Sequence, residues 1–393
     1  MYDVVIVGGA AMGSSLAYHL CAAGFPGRVL VIEKDPTYAR SASALSAASI
    51  RQQFSTAVNI RISLFGIAFL RAVGEHLAVD GERPEIGLKE AGYLYLAGEA
   101  GAPVLAENHA LQRAEGADIL LLDRAGLRER FTWLATDDLA AGSWGRSGEG
   151  WFDGWALLQA FRRKARALGA EYRQGEVVGL DLYGGRVAAV RLADGARIPC
   201  GVVVNCAGAG GPALAALAGI DLPVRAKRRS VFAFTAREPV PGCPLLIDTS
   251  GVWCRPEGEG FIAGVSPGPG EPDPDWRDDD PATQEPDWNL FEEVVWPALA
   301  HRVPAFEAIR PGRAWAGPYD MCLLDHNAVV GPAGPDNLFL CNGFSGHGLQ
   351  QAPAVGRGLA ELIMHGRYVS LDLSDLGFER VAANRPLLER NVI

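Results

Sequence analysis

Residues 1–33 read MYDVVIVGGAAMGSSLAYHLCAAGFPGRVLVIE, and this stretch decides the fold. The apolar run at 4–7 is typical of a buried strand, and a glycine-rich turn at 8–13 follows it. A helical segment comes next, and a second apolar run at 29–32 ends on the acidic Glu33. These parts stand in the order and at the spacing of a dinucleotide-binding βαβ unit.

The small and acidic residues of this unit each have a physical role. Gly8 allows a sharp turn, and Gly13 allows the helix to pack closely on the strand. The start of the helix offers free backbone N–H groups and a positive dipole to a pyrophosphate. Glu33 is placed to accept the hydroxyl groups of an adenosine ribose, which favours FAD or NAD over NADP. Ala10 replaces the middle glycine of the usual pattern, so its methyl group is expected to hold the ligand slightly farther away.

The bulk composition indicates a soluble, globular protein of two or three domains. The chain has 393 residues, of which 49% are hydrophobic and 21% are charged. The formal net charge of −10 argues against a nucleic-acid partner, because such proteins present a basic surface to phosphates. The seven cysteines form no CxxC or zinc-like pair, which favours a reducing cytoplasm and predicts no metal site.

Two uncharged stretches, at 4–27 and 201–220, have the length of a membrane span, about 20 residues. Glycines interrupt both of them, and the second also contains Asn205 and Pro212. Each is therefore predicted to be a buried parallel strand followed by a helix.

A strand, a glycine-rich turn and a helix occur again near the other end of the chain. The strand is predicted at 338–340, the turn GFSGHG at 343–348 and the helix at 349–364. Because the two glycine turns are 335 residues apart, we expect a discontinuous cofactor domain with a second domain inserted into it. Simple NAD dehydrogenases usually keep this domain contiguous, so the arrangement favours FAD.

The expected fold class is α/β (α+β overall), with a discontinuous Rossmann-like FAD-binding domain and an inserted substrate domain of mainly antiparallel sheet. The predicted bounds are 1–85, 150–225 and 325–393 for the FAD-binding domain and 86–149 and 226–324 for the substrate domain. A helix is predicted over 60–77, and the acidic, proline-rich stretch 267–286 is predicted to be a solvated surface loop.

Six stretches together resemble the D-amino-acid oxidase and sarcosine oxidase superfamily of flavoproteins. They span nearly the whole chain: DVVIVGGAAMG (3–13), SAASIRQQF (46–54), EGWFD (149–153), VVNCAGA (203–209), AKRRSVFAF (226–234) and GFSGHGLQQAP (343–353). VWPALAHRVPAFE (295–307) and AWAGPYD (314–320) are similar to a mitochondrial branch of that superfamily that is linked to respiratory complex I assembly.

The resemblance implies that an amine or N-methyl amino acid is held over the flavin and passes a hydride to flavin N5. Arg51 matches the family position that binds the substrate carboxylate, and a planar guanidinium suits bidentate recognition. His347 and the helix start beside it are placed at the N1/O2 edge, where they would stabilise negative charge on the reduced flavin. Trp253 and Arg255 alternate on one strand and are expected to face the substrate side of the flavin. Tyr319, in AWAGPYD, is a further candidate.

The cofactor itself is expected to contact residues from the two glycine turns, the small-residue stretch after Glu33 and the strand end near 206. These positions are Gly8, Gly9, Ala10, Ala11, Met12, Gly13, Glu33, Lys34, Ser41, Ser43, Ser46, Ala47, Ala48, Ser49, Val177, Cys206, Ala207, Gly208, Gly343, Phe344, Ser345, Gly346, His347, Gly348, Leu349 and Gln350.

Three positions depart from the family pattern. Ile262 or a neighbour stands where a lysine near flavin N5 commonly promotes reaction with oxygen, so a dehydrogenase is expected rather than an efficient oxidase. Gln350, also a candidate catalytic residue, replaces a second carboxylate-binding lysine of sarcosine oxidases. The covalent flavin cysteine of some relatives maps near Pro318, with Cys322 four residues away. Because no histidine lies in 41–54 either, FAD is expected to be bound non-covalently.

The sequence therefore predicts an FAD-dependent oxidoreductase that acts on an amino acid or N-alkyl amino acid and passes electrons to a quinone, a carrier flavoprotein or oxygen. A cytoplasmic location is expected, and peripheral association with the respiratory chain stays open. Two alternatives also stay open, a flavoprotein assembly factor or scaffold with little turnover and an NAD-linked dehydrogenase.

Overall fold

The computed structural model describes residues 1–268 and 270–391. In chain order the strands are β1 (Tyr2–Val7), β2 (Val29–Glu33), β3 (Ser49–Ile50), β4 (Tyr93–Ala97), β5 (Ile119–Asp123), β6 (Ala141–Gly145), β7 (Gly150–Trp151), β8 (Glu171–Gln174), β9 (Val177–Tyr183), β10 (Arg186–Leu192), β11 (Arg197–Asn205), β12 (Val224–Ala236), β13 (Leu245–Ile247), β14 (Val252–Glu257), β15 (Gly260–Val265), β16 (Ile309–Cys322), β17 (Val329–Pro332) and β18 (Leu338–Asn342).

The helices are α1 (Ala11–Ala22), α2 (Ala42–Leu45), α3 (Ala57–Arg71), α4 (Val73–His76), α5 (Ala102–Ala114), α6 (Arg124–Arg130), α7 (Gly154–Ala167), α8 (Gly211–Ala216), α9 (Trp288–Leu290), α10 (Trp296–Arg302), α11 (Gly348–His365) and α12 (Phe378–Ala382). A π-helical turn, Phe291–Val295, joins α9 to α10. Short 3₁₀ turns lie at Gly208–Gly210, Pro281–Gln284, Pro304–Phe306 and Ser374–Leu376. In the described part of the chain, no helix combines the length and apolar character needed to cross a bilayer.

The N-terminal stretch forms the predicted βαβ unit at the centre of the first sheet. The strands of this sheet run in the order β17-β18-β11-β1-β2-β8, and β9 and β10 extend it beyond β11. Strand β1 pairs in parallel with both β2 and β11. Residues 4–6 have no exposed surface, as expected for a central parallel strand that is covered on both faces.

Helices α1 and α11, from opposite ends of the chain, cross closely on this sheet. A methyl group added at Gly356 in α11 would lie 2.4 Å from Ser15 Oγ and 2.9 Å from the Leu16 backbone nitrogen. The Ser15 hydroxyl donates to the Ala352 carbonyl at 2.7 Å. This crossing brings the starts of both helices to the same region of the molecule.

The second sheet has the strand order β16-β12-β15-β14-β13-β4-β6-β5. Its pairs are antiparallel apart from β13 with β4. One face carries Phe232, Phe234 and Cys254 into an apolar core. The other face, with Val231 and Trp253, is directed towards the first sheet's strand ends and lines a cavity. The predicted α/β fold with a mainly antiparallel second sheet is confirmed.

One local prediction was wrong, and another was right about exposure but did not include the contacts of the stretch. The helix predicted over 60–77 is two helices, α3 and α4, because the backbone at Ala72 leaves helical geometry (φ −103°, ψ 15°). The stretch 267–286 was predicted to be a solvated loop, and its residue 269 lies outside the described residues. Its residues 271–280, here the acidic strap, are anchored by the buried Trp276, whose backbone N–H donates to the Ala226 carbonyl.

The acidic strap joins the two sheets through ion pairs. Asp275 accepts from Lys227 Nζ in β12 at 2.7 Å, and Asp273 accepts from Arg229 at 2.6 Å. Asp278 pairs with Lys34, directly after β2, at 2.5 Å. The stretch is therefore a largely exposed surface loop, as predicted, and its carboxylates also pair with cations on both sheets.

Candidate functional site

An elongated cavity lies between the two sheets. Its lining comes from the start of α1, the segment 42–49, the ends of β11 and β18, the loop 344–350 and the inner face of the second sheet. Arg51 and Tyr93 also line it, and the part around Arg51, the predicted carboxylate ligand, is here called the substrate end.

The glycine turn after β1 is shaped by close backbone contacts. Gly8 has a φ of +99°, and a methyl group on it would lie 2.3 Å from the Cys206 carbonyl oxygen. A methyl group on Gly13 would lie 1.9 Å from the Gly8 oxygen. Ala10, the residue that precedes α1, makes no side-chain hydrogen bond that caps the helix, and the Ala11 N–H has only a long contact of 3.4 Å with Ser43 Oγ. Ala11 and Met12, at this helix start, line the cavity.

Glu33 lies beside this turn, as its predicted role requires. Its carboxylate accepts from the Gly9 N–H at 2.8 Å and from the Asp35 N–H at 2.9 Å. Each carboxylate oxygen keeps further lone pairs, which could accept ribose hydroxyl groups.

The second glycine turn is held by Asp320. Its carboxylate accepts from the N–H groups of Gly343 at 3.0 Å and Phe344 at 3.2 Å. Burial raises the pKa of Asp320 to about 6, although these bonds favour the charged form. Gly346 has a φ of +84°, and a methyl group there would lie 1.9 Å from Tyr319 Oη. This contact explains why glycine is required where the turn meets α11.

Arg51 is fully buried at the substrate end of the cavity. Its Nη1 donates to the Gln53 carbonyl at 2.5 Å, and its Nη2 contacts His347 Nε2 at 2.9 Å and donates to the Asn391 carbonyl. The guanidinium carbon lies 4.0 Å from the centre of the Phe54 ring. Because arginine cannot accept a hydrogen bond, His347 must present Nε2 as an acceptor. Burial, with help from the Arg51 charge, lowers the pKa of His347 well below its usual range, so the imidazole is neutral.

Glu149 holds the loop that carries Arg51. Its carboxylate accepts from the Gln52 N–H at 2.5 Å, the Gln53 N–H at 3.1 Å and the Gln53 side-chain amide at 2.8 Å. The residue has no exposed surface, and burial raises its pKa to about 7. Sequence reasoning assigned it no role, although EGWFD was one of the stretches that carried the family resemblance.

Aromatic residues wall this end of the cavity. Tyr93 and Tyr95, both buried, stack with ring centres 5.8 Å apart, and Tyr93 Oη lies 3.1 Å from Ser49 Oγ. Burial raises the pKa of each phenol, so both are neutral. Trp253 and Leu245 add further apolar surface. The two tyrosines were missed from the sequence, although the alternation in GYLYL (92–96) places both on one face of a strand.

The structure brings most of the predicted catalytic residues together. Arg51, His347, Gln350, Trp253 and Tyr319 line one cavity. The Gln350 side-chain oxygen accepts from the Arg51 N–H at 2.9 Å, so Gln350 acts on the backbone of that residue.

Arg255 does not join this group. Its Nε and Nη2 donate to the Ala47 carbonyl at 3.1 and 2.7 Å, and its Nη1 pairs with Glu257. It shares a sheet face with Trp253 but lines a neighbouring cleft together with Ile262. Trp253 and Arg255 therefore face the same side of the sheet, as expected, but they line different spaces, and residues of the segment 43–48 line both. A role of Arg255 at the substrate stays a prediction.

The predicted cofactor positions fall into two groups. Those that line the cavity are Ala11, Met12, Ser43, Ser46, Ala47, Ala48, Ser49, Cys206, Gly208, Phe344, Gly346, His347, Gly348, Leu349 and Gln350. Those that lie behind the lining are Gly8, Gly9, Ala10, Gly13, Glu33, Lys34, Ser41, Val177, Ala207, Gly343 and Ser345. Among the second group, Lys34 is turned towards Asp278, and the Ser41 hydroxyl caps α2.

The cavity fits an elongated dinucleotide. Two helix starts face it, and the segment 42–49 supplies small side chains along one side. Arg229, on the cavity wall, has a buried Nε with no hydrogen-bond partner among the described residues. The guanidinium charge is paired with Asp273, so Arg229 offers the cavity a free N–H donor rather than a free charge. The two helix N-termini are the features that suit a ligand with negative charge.

Comparison with known proteins agrees with this geometry. The profile of the FAD dependent oxidoreductase family matches residues 3–362. FAD-dependent oxidoreductase domain-containing protein 1 of Xenopus laevis is 43% identical, over 100% of this chain and 85% of that protein. The mitochondrial sarcosine dehydrogenase of Homo sapiens is 26% identical, over 93% of this chain and 40% of that protein. The crystal structure of L-proline dehydrogenase from P. horikoshii superposes with a TM-score of 0.85 at 25% identity, and the match covers 98% of each chain.

Proposed function

Since this chain belongs to the FAD dependent oxidoreductase family, we propose that it oxidises the C–N bond of an amino acid or N-alkyl amino acid. The observation that carries the proposal is the buried Arg51 guanidinium at the end of the cofactor cavity. Similar proteins that are named for sarcosine and L-proline dehydrogenation support the substrate class.

The substrate carboxylate is bound by Arg51. The described partners of this guanidinium are neutral acceptors, two backbone carbonyls and an imidazole, so its positive charge is left for an anion. In a buried site a charge-assisted hydrogen bond is stronger than at the surface. The carboxylate would therefore fix the orientation of the substrate over the flavin.

When bound, FAD would supply the redox chemistry as the acceptor of a hydride. The start of α11, at Gly348, lines the cavity, where its dipole would favour negative charge on a bound cofactor. Because His347 is neutral, the positive field in this part of the cavity would come from the helix and from Arg51. Tyr93, Trp253 and Leu245 line the cavity and would exclude water from it.

A dehydrogenase is the favoured form of this activity. Ile262 and its neighbours in FIAG (261–264) are uncharged, and Ile262 faces the neighbouring cleft. A positive charge that would promote reaction with oxygen is therefore not supplied from this strand. Stopped-flow measurement should show faster reoxidation of the reduced protein by a soluble quinone than by air-saturated buffer, and the opposite order would indicate an oxidase.

Anaerobic titration tests the function itself. Sarcosine, other N-methyl amino acids, L- and D-proline and simple D-amino acids are added to the FAD-loaded protein, and the visible flavin absorbance is followed. At least one of them should bleach this absorbance. Arg51→Met should weaken the binding of that compound by about 100-fold, because a charge-assisted pair is lost. Arg61→Met, at a surface ion pair with Glu115, is the matched control.

A flavin that no candidate bleaches would contradict the proposed function. It would favour the alternative of a flavoprotein scaffold or assembly factor.

We also propose that FAD is bound non-covalently. Cys322 is fully buried with its thiol 3.5 Å from Asp325, and it does not line the cavity. Acid precipitation should therefore give a colourless protein pellet and a yellow supernatant. A pellet that stays yellow after washing would show a covalent bond.

A further inference from the structure

The segment 387–391, here the closing segment, lies along the loop that carries Arg51. The Leu387 N–H donates to the Asp325 carboxylate at 3.0 Å, and the Glu389 N–H donates to the Asp325 carbonyl at 3.0 Å. The Asn391 amide donates to the Gln53 carbonyl at 3.0 Å. The closing segment therefore reaches the substrate end of the cavity from outside both sheets.

Glu389 anchors this segment. Its Oε1 accepts from the Ser55 N–H at 2.8 Å and the Ser55 hydroxyl at 2.7 Å, and its Oε2 accepts from Thr56 Oγ1 at 2.9 Å and Asn59 Nδ2 at 3.1 Å. Glu389 is 1% exposed, whereas Leu388 is 54% exposed. Leu387 packs against the apolar core at the start of the segment, and the buried Glu389 carboxylate holds the part that follows it.

The closing segment uses part of the binding capacity of Arg51. Nη2 has two hydrogens, and they are directed to the Asn391 carbonyl and to His347 Nε2. One hydrogen of Nη1 is directed to the Gln53 carbonyl. Every two-point pairing of a carboxylate with a guanidinium edge uses Nη2. Such a pairing is therefore blocked while the Asn391 carbonyl stays in position.

We propose that the closing segment occupies the carboxylate subsite of Arg51, and that a carboxylate ligand binds by displacing Asn391. This inference rests on the proposed function only for the identity of the natural ligand. Glu389 is the positioning residue, since its hydrogen bonds set how often the segment leaves. Asn391 is held by hydrogen bonds with Gln53, Asn108 and Glu389, and water can replace these bonds when the residue is displaced.

Sodium benzoate is a suitable probe, since it carries a carboxylate and needs no turnover. It is titrated into the FAD-loaded protein while flavin absorbance is recorded, with benzyl alcohol as the uncharged control. Asn391→Ala and Glu389→Ala should each tighten benzoate binding by about fivefold or more, because a larger fraction of the protein is then open. Glu107→Gln, which removes only the exposed ion pair with Arg390, should leave binding unchanged.

Hydrogen exchange on the unmodified protein gives a second measurement that does not depend on how the variants fold. Benzoate should speed exchange of the amides of Leu387, Glu389 and Asn391. Arg51→Met should abolish both the absorbance change and the effect on exchange. If benzoate changes the absorbance of the unmodified protein but leaves exchange unchanged or slower, the inference is overturned. Weaker or equal binding by both variants would also overturn it.

The outcomes separate this inference from the proposed function. Benzoate binding with release of the segment, in a protein whose flavin no amino acid bleaches, would refute the function and keep the inference. If benzoate changes the spectrum only of the variants, the segment closes the site tightly and the inference stands. If benzoate changes neither the unmodified protein nor the variants, the inference fails.

Discussion

At the scale of single residues, Glu149 shows how one buried carboxylate can order a binding loop. Two consecutive N–H groups, of Gln52 and Gln53, donate to it, and these residues follow Arg51 directly. The side chain is enclosed so closely that a methyl group on Gly145 would lie 1.6 Å from its Oε2. The position of Arg51 therefore depends on a group that lies almost 100 residues away in sequence.

Glu149 should make the stability of the protein depend on pH. Since burial raises its pKa from 4.5 to about 7, the folded protein keeps a proton between these values that the unfolded chain releases. The contribution of Glu149 to the free energy of unfolding, about 3 kcal/mol, is fully present below pH 4.5 and is lost as the pH rises to about 7. Urea unfolding at about pH 5 and about pH 8 should show a smaller difference in Glu149→Gln than in the unmodified protein.

Glu129→Gln, which changes an exposed residue, is the control for this measurement. Because Asp320 shifts in the same direction, the test compares the variant with the unmodified protein rather than with zero. Equal pH dependence in Glu149→Gln and the unmodified protein would contradict the assigned role.

At the scale of elements, the turn between β1 and α1 has no room for a side chain at two of its glycines. Gly13 lies in α1 against the carbonyl of Gly8, and Gly8 lies against the carbonyl of Cys206 at the end of β11. Three backbone segments therefore meet without side chains between them. A change of side-chain rotamer cannot relieve close contact between backbones. A larger residue at Gly8 or Gly13 would therefore have to displace the backbone segments themselves.

Gly13→Ala should weaken FAD binding by about tenfold or more and destabilise the fold by about 1–3 kcal/mol, because the added methyl group would lie 1.9 Å from the Gly8 oxygen. Fluorescence of free FAD after dialysis measures the first effect, and thermal unfolding measures the second. Gly24→Ala is the matched control, since no atom lies within 4 Å of the new methyl group, although the φ of +75° there gives a small cost. Full retention of FAD by Gly13→Ala would contradict this account of the turn.

The elements were well predicted where the pattern was local. The glycine turn at 343–348 predicted the start of α11. The break at Ala72 was not predicted. The ion pairs of the acidic strap were not predicted either, because they depend on partners elsewhere in the chain. The division into two domains at the bounds given above stays a prediction.

At the scale of the whole molecule, residues from both sheets line the cavity, so a ligand bound there should stabilise both sheets. Segments from near both ends of the chain and from its middle line it. The acidic strap also links the two sheets, because its carboxylates form ion pairs with Lys34, Lys227 and Arg229. FAD binding and global stability are therefore expected to be coupled.

Free FAD at about 100 times its dissociation constant should raise the free energy of unfolding by about 3 kcal/mol and the Tm by about 3 °C. Differential scanning calorimetry of the stripped protein with increasing FAD measures the shift. NAD at the same concentration is the control and should have no effect. An equal shift with NAD would contradict the assignment of FAD to this cavity.

The sequence by itself determined the βαβ unit, the second glycine turn and the FAD family, because these depend on the spacing of residues within short segments. The family resemblance also indicated Arg51, which stays a proposed carboxylate ligand. Only the tertiary structure decided what surrounds that guanidinium. Its contacts with His347 and Asn391 join residues 296 and 340 positions apart. Such contacts follow from how two sheets and two distant loops pack against each other, and no local pattern of residues encodes that packing.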